Sequence, residues 1–181
     1  MQIIKTKFKG LVLYKRPSHK DTRGYFRELF LEKVLKKKFI FDYFSLSKKN
    51  VLRGIHLQLK YPQGKLITVL NGKIFDVALD CRPKSKSFGK FYSLYLSEKD
   101  NTSIYLPEGF AHGFCSLSKN TILHYKCTSY RHPDSEIGIF WKDKKLKINW
   151  PKKNFILSSK DKKNLSFKDL INSKNFNKIS W

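Results

Sequence analysis

The stretch LITVLNGKIFDVAL, residues 66–79, decides the fold. Two runs rich in branched and apolar residues, 66–70 and 74–79, flank Asn71-Gly72. Short runs of this composition read as strands, and Asn-Gly between them predicts a tight hairpin turn. The texture extends in both directions. From Phe39 to Tyr130 the pattern is β, with further strands expected over 91–96, 103–106, 113–117 and 122–128. Pro83, Gly89, Pro107 and Gly109 punctuate the series. Many short strands at regular spacing predict an all-β sandwich or barrel.

Outside this core the chain carries shorter signals. Residues 3–14 alternate loosely and read as one strand, and Asp21-Thr22-Arg23-Gly24 reads as a turn. Over 28–38, Leu29, Phe30, Leu31, Val34 and Leu35 have helical spacing and end in lysines, which suit a helix C-terminus. After Trp150-Pro151 the composition turns lysine-rich. Ser166, followed by Asp169, predicts the capped start of a short helix. Residues 151–181 retain Phe155, Leu157, Leu165, Phe167 and Leu170, so this segment is expected to pack on a β core of about 39–130. With 181 residues, no repeat and no low-complexity linker, residues 1–181 are expected to form one domain.

Forty per cent hydrophobic and fifteen per cent aromatic content exclude a disordered chain. No run approaches the ~20 apolar residues of a membrane-spanning helix. The N-terminal MQIIKTKFKG lacks the apolar stretch of a signal peptide, so a cytoplasmic location is expected. Cys81, Cys115 and Cys127 form no CxxC and read as buried hydrophobes. The net charge of +24 attracts polyanions in general, but scattered lysine specifies no partner, and nucleic acid is not the expected one.

The chemistry concentrates just before the opening stretch. Residues 51–65, VLRGIHLQLKYPQGK, place Arg53, His56 and Lys65 in a segment that otherwise reads as buried strand. Such groups are costly among apolar residues unless paired. His56, Glu108, His112 and His124 would be the available metal ligands, but the paired HxH of a metal-binding cupin is missing, and no metal is expected. No GxSxG elbow or glycine-rich phosphate loop is present. Acid–base chemistry remains. A histidine titrates near neutrality, so His56 is the natural base, with Asp161 a candidate orienting carboxylate. Lys65 or Arg53 could stabilise an enolate oxygen, and Tyr125 could return a proton from the opposite face. Spacing alone leaves each of these residues open to a purely structural role.

A series of motifs then resembles the dTDP-4-dehydrorhamnose 3,5-epimerase family. It begins with DTRGYFRE at 21–28, LRGIH at 52–56, PQGKL at 62–66 and GKIFDVALD at 72–80. It continues with Arg82, Ser85 and FGK at 88–90, LPEGFAHGF at 106–114 and YKCT at 125–128, and ends with INWP at 148–151 and LSSKD at 157–161. The resemblance implies a double-stranded β-helix of cupin or jelly-roll type with short flanking helices, without the metal, assembled as a homodimer. It implies a nucleotide-sugar substrate, a nucleoside diphosphate linked to a 4-keto-6-deoxy sugar, and no cofactor. By motif position it implies His56 as the base, Asp161 as its orienting carboxylate, Lys65 as the enolate-stabilising cation and Tyr125 as the acid. Arg23, Phe26, Glu28, Arg53, His112, Tyr130, Glu136 and Lys160 match positions that line the substrate pocket. The chain departs from the family pattern at Phe41 and Tyr43, where a glutamine and an asparagine are usual. An aromatic ring cannot reproduce an amide's paired donor and acceptor, so the nucleotide, the sugar, or the choice between C3 and C5 is open to change.

Overall fold

The computed structural model describes residues 2–177. Among these, thirteen strands carry the fold: β1 Gln2–Lys5, β2 Val12–Lys15, β3 His19–Asp21, β4 Gly24–Phe26, β5 Phe41–Lys48, β6 Leu52–Gln58, β7 Lys65–Asn71, β8 Lys73–Asp80, β9 Phe91–Ser97, β10 Thr102–Leu106, β11 Phe110–Ser116, β12 Asn120–Cys127 and β13 Glu136–Gly138. Four short helices flank them: α1 Glu32–Leu35, α2 Ser159–Lys162, α3 Phe167–Ile171 and α4 Lys174–Asn177. A six-stranded sheet in the order β1-β2-β10-β7-β12-β5 faces a five-stranded sheet in the order β13-β6-β11-β8-β9, and β3-β4 form a separate hairpin. This is the expected all-β jelly roll.

Asn71-Gly72 is not a hairpin turn. Strand β7 pairs with β10 and β12 in one sheet, whereas β8 pairs with β11 and β9 in the other. The dipeptide is the corner where the chain changes sheets. Gly72 has φ +87°, and a Cβ there would lie 2.8 Å from Thr121 Oγ1, so the corner needs glycine. The expected strand over 3–14 is two strands, β1 and β2, paired to each other across a turn. The expected helix over 28–38 shrinks to α1. Its spacing reflects Phe30, Val34 and Leu35 packing on Tyr14, Leu66 and Tyr105, and Lys36 at φ 50° ends the helix in left-handed backbone.

Two apolar layers explain the long buried runs. Between the sheets lie Ile67, Val69, Leu123 and Tyr125 from one and Ile74, Ala78, Phe110 and Phe114 from the other. On the far side of the five-stranded sheet, Leu52, Ile55, Leu57, Val77 and Leu79 pack under Trp150, Phe167, Leu170 and Phe176. This sheet is covered on both faces, so β8 and β11 are almost wholly buried and lack polar alternation. Ser166 caps α3 as expected, its hydroxyl accepting from the Asp169 amide. Burying Phe167 and Leu170 together stabilises this cover by about 3–6 kcal/mol.

Candidate active site

Between the sheets opens a cavity of about 770 Å3 lined by both walls, within the ~300–1,000 Å3 usual for small-molecule sites. Strand β6 supplies Arg53 and His56. Three residues apart on a regular strand, they would point to opposite faces. A bulge resolves this: on β11 His112 pairs with His56 and Phe114 with Arg53, so two steps on β11 match three on β6. Gly54 sits in the bulge at φ +116°, and a Cβ there would lie 2.6 Å from Gly113 Cα. No larger residue fits, and the bulge aims both side chains inward.

The carboxylate opposite His56 arrives from 105 residues away. A parallel bridge between Val51 and Ile156 lays the C-terminal segment along β6. The Ser158 hydroxyl then accepts from the Asp161 amide at 3.0 Å and starts α2. Asp161 Oδ1 lies 2.6 Å from His56 Nε2, and Asn164 Nδ2 donates to the same oxygen at 3.3 Å. Burial pushes the Asp161 carboxyl up, but the bonds from His56, Ser158 and Asn164 outweigh it and hold the group below the usual carboxylate range. An ionised carboxylate only accepts, so Nε2 carries the proton it donates, and Nδ1 is the nitrogen left to act as a base.

The facing sheet supplies the other half through strand register. Lys65 pairs with Cys127, and Cys127 with Phe41; one row along, Ile67 pairs with Tyr125, and Tyr125 with Tyr43. Lys65, Phe41, Tyr43 and Tyr125 all line the cavity. Burial pulls the Lys65 ammonium below its ordinary pKa, with the Glu136 carboxylate opposing the fall. Burial and the neighbouring Tyr43 push the Tyr125 phenol well above its ordinary value, so it stays protonated at neutral pH.

At the rim Glu136 joins Lys160 Nζ at 2.8 Å and Arg131 Nε at 3.5 Å. Arg53 is braced by Ser47 Oγ at 3.0 Å and the Leu46 carbonyl at 3.1 Å. His112 Nε2 lies 2.7 Å from Asp76 Oδ2. The cavity thus gathers His56, Asp161, Lys65, Tyr125, Arg53, His112, Glu136 and Lys160. Tyr130, 58% exposed, stands beside Phe41 with ring centroids 6.1 Å apart but is not in the lining. Arg23, Phe26 and Glu28 lie on or beside the exposed β3–β4 hairpin, outside the lining of this chain's cavity, and Arg23 pairs with Asp21 at 2.6 Å. The other residues considered as metal ligands diverge: His124 bonds Asp42, and Glu108 accepts from Thr128. Among the described residues no group of three or more His, Cys, Asp or Glu is placed to hold a metal ion. Sequence reasoning missed Asp76, Arg131 and Asn164. The signal for Asp76 was present, as an acid alone within the apolar run IFDVAL.

Histidine held by a carboxylate on one wall and a protonated tyrosine with a lysine on the other are the equipment of proton transfer at carbon, and a jelly roll so equipped belongs to the class of acid–base β-barrels. Comparison with known proteins narrows the class. The chain belongs to the dTDP-4-dehydrorhamnose 3,5-epimerase family, whose model matches residues 5–169. It is 41% identical over 169 residues to the dTDP-4-dehydrorhamnose 3,5-epimerase of Methanothermobacter thermautotrophicus, covering 89% of this chain and 91% of that protein. Against the Escherichia coli enzyme of that name it is 39% identical over 182 residues, covering 96% and 98%. It is also similar to the crystal structure of dTDP-6-deoxy-D-glucose-3,5-epimerase from Legionella pneumophila in complex with dTDP-4-keto-L-rhamnose: 41% identity, TM-score 0.87, 91% of this chain and 92% of that one.

Proposed function

We propose that the protein is an isomerase that epimerises C3 and C5 of a nucleoside-diphosphate-linked 4-keto-6-deoxy sugar, with dTDP the first nucleotide to test. The 4-keto group makes the hydrogens on both neighbouring carbons acidic. His56 Nδ1 takes one of them, and Asp161 stabilises the imidazolium that results. The electron pair moves onto the ketone oxygen, where the Lys65 ammonium offsets the developing charge. Tyr125 gives its proton to the same carbon from the other side as the electron pair returns and the ketone re-forms. Tyr125 then regains a proton from solvent, and His56 releases its own to solvent. The substrate's own ketone is the electron sink, so the scheme uses no cofactor. The carrying observation is that His56, held by Asp161 of α2, and Tyr125 come from opposite sheets and line one cavity, as inversion requires.

Arg53, His112, Glu136 and Lys160 are the polar residues assigned to substrate binding, with Tyr130 at the mouth. The protein works as a homodimer in which the hairpin bearing Arg23, Phe26 and Glu28 reaches a second copy's cavity. Its support is the exposure of Tyr25 (54%) and Phe26 (67%), which a partner would cover. The three free, buried cysteines suit the reducing cytoplasm. The aromatic pair Phe41 and Tyr43 favours a second reading, inversion at one carbon only or a nucleotide other than dTDP. Incubation in deuterated water with dTDP- and other nucleotide-linked 4-keto-6-deoxy sugars separates these. Label at C3 and C5 supports the full reaction, label at one carbon the narrower one, and no label with any nucleotide refutes both.

A further inference from the structure

We infer that Tyr43 is a positioning residue for the acid: its ring, stacked on Tyr125 from the neighbouring strand, fixes the direction in which Tyr125 delivers its proton. The inference rests on the epimerase reading and extends it to a residue outside the proposed catalytic set.

The register places Tyr43 directly opposite Tyr125 on the paired strands β5 and β12. Cross-strand neighbours of this kind are in side-chain contact. Here the contact is a face-to-face stack, with centroids 4.6 Å apart and planes 10° from parallel. The His112 ring meets Tyr125 at 6.0 Å and 71°, so edge and face contacts confine the phenol from two directions. Phe41 backs the stack at 5.4 Å from Tyr43. Phe41 and Tyr43 thus form an aromatic wall on the inward face of β5, which Ser45 and Ser47 continue, while Asp42, Phe44 and Leu46 alternate outward. Tyr43 also helps seal Tyr125 from solvent, and burial is the largest cause holding that phenol protonated. An aliphatic residue at this position in this aromatic wall would leave the Tyr125 face without its stacking partner.

The consequence concerns the partition of the enolate. After His56 takes the C–H proton, that proton exchanges with solvent. The enolate carbon then receives a proton either from Tyr125, which inverts the centre, or back from His56, which restores it. If Tyr125 is misaimed, return from His56 gains. In deuterated water the substrate is then labelled without inversion. Misplacement of a reacting group by ~1 Å can cost about a hundredfold.

The experiment measures, for wild type, Tyr43→Phe, Tyr43→Ala and Tyr43→Leu, the ratio of label in recovered substrate to label in inverted product. Thermal melting confirms that each variant is folded. Tyr43→Phe keeps the ring and should hold the ratio within about twofold of wild type. Tyr43→Ala and Tyr43→Leu remove it and should raise the ratio at least tenfold, and either folded variant suffices for the test. An unchanged ratio in a folded ring-less variant, even with a slower rate, overturns the inference, as does a Tyr43→Phe ratio equal to that of Tyr43→Leu. Absence of label with wild type refutes the epimerase reading itself and is recognised before any variant is compared.

Discussion

Replacing Asp161 by asparagine isolates one charge. The amide has the carboxylate's shape, and its oxygen can still accept from His56 Nε2, which lies 2.6 Å from Asp161 Oδ1. The Ser158 cap uses the backbone amide of residue 161 and is untouched. What disappears is the negative charge that faces His56 once it becomes imidazolium. In the proposed reaction that charge acts mainly once His56 has taken the substrate proton. The loss is therefore confined to the transition state and should appear in kcat rather than KM. A hydrogen bond to a charged group contributes about 1.5–3 kcal/mol, and about 1.4 kcal/mol is tenfold in rate. The variant should run roughly 10–150-fold slower with KM within about threefold. The assay is initial-rate solvent-deuterium incorporation across substrate concentrations, with a melting curve to confirm folding. A folded variant with kcat within twofold of wild type, or one whose loss lies wholly in KM, would refute the assignment of Asp161 as the partner of the base.

Three further outcomes are expected. Lys65→Met should lower kcat by about 10²–10³-fold, the scale of losing one oxyanion-stabilising group; because burial lowers the Lys65 pKa from 10.5, wild-type kcat should fall with rising pH below that value, and pH–rate profiles should show this limb missing in the variant. Gly54→Ala forces a Cβ against backbone at positive φ and should destabilise the fold by about 2–5 kcal/mol, read by denaturant unfolding. Asp80, fully buried and bonded to Arg82, Ser85 and Ser87, is held below its ordinary 3.8, these bonds outweighing the upward push of burial. A depressed carboxyl pKa contributes stability above the unfolded value that is lost as pH falls through the folded one. Asp80→Asn should therefore cost about 3 kcal/mol at pH 7, and its unfolding curve should approach that of wild type only below pH 3.8.

The strands were legible from residue type, but their pairing was not. Asn71-Gly72 supplies positive φ whether the chain turns back beside itself or crosses to another sheet. Residues 66–70 and 74–79 are apolar in both cases because each belongs to a sheet with a buried inner face, and the second sheet is buried on its outer face too. Polar alternation, the usual clue to which face a residue takes, is absent there. The helix over 28–38 was over-read for a related reason: Phe30, Val34 and Leu35 recur because they cover Tyr14 and Leu66, a contact an irregular segment makes as well as a helix.

The site was legible as chemistry before it was legible as geometry. Arg53, His56 and Lys65 were conspicuous in an apolar context, yet strict alternation would have sent Arg53 and His56 to opposite faces. Only the bulge at Gly54, invisible without the partner strand, reconciles them. Asp161 lies too far along the chain for spacing to pair it with His56; motif resemblance named it, and the bridge from Val51 to Ile156 supplies the physical link. Tyr43 was noticed as a departure from a pattern, and its stack on Tyr125 follows from strand register, which sequence did not reveal.

The most direct test is proton exchange at carbon. Purified protein is incubated in deuterated water with a dTDP-linked 4-keto-6-deoxy sugar, and label and configuration at C3 and C5 are read by NMR beside His56→Ala. The account predicts label with inversion at both carbons for wild type and a loss of several orders of magnitude in the variant. Wild type without label, or His56→Ala labelling as fast as wild type, would contradict it.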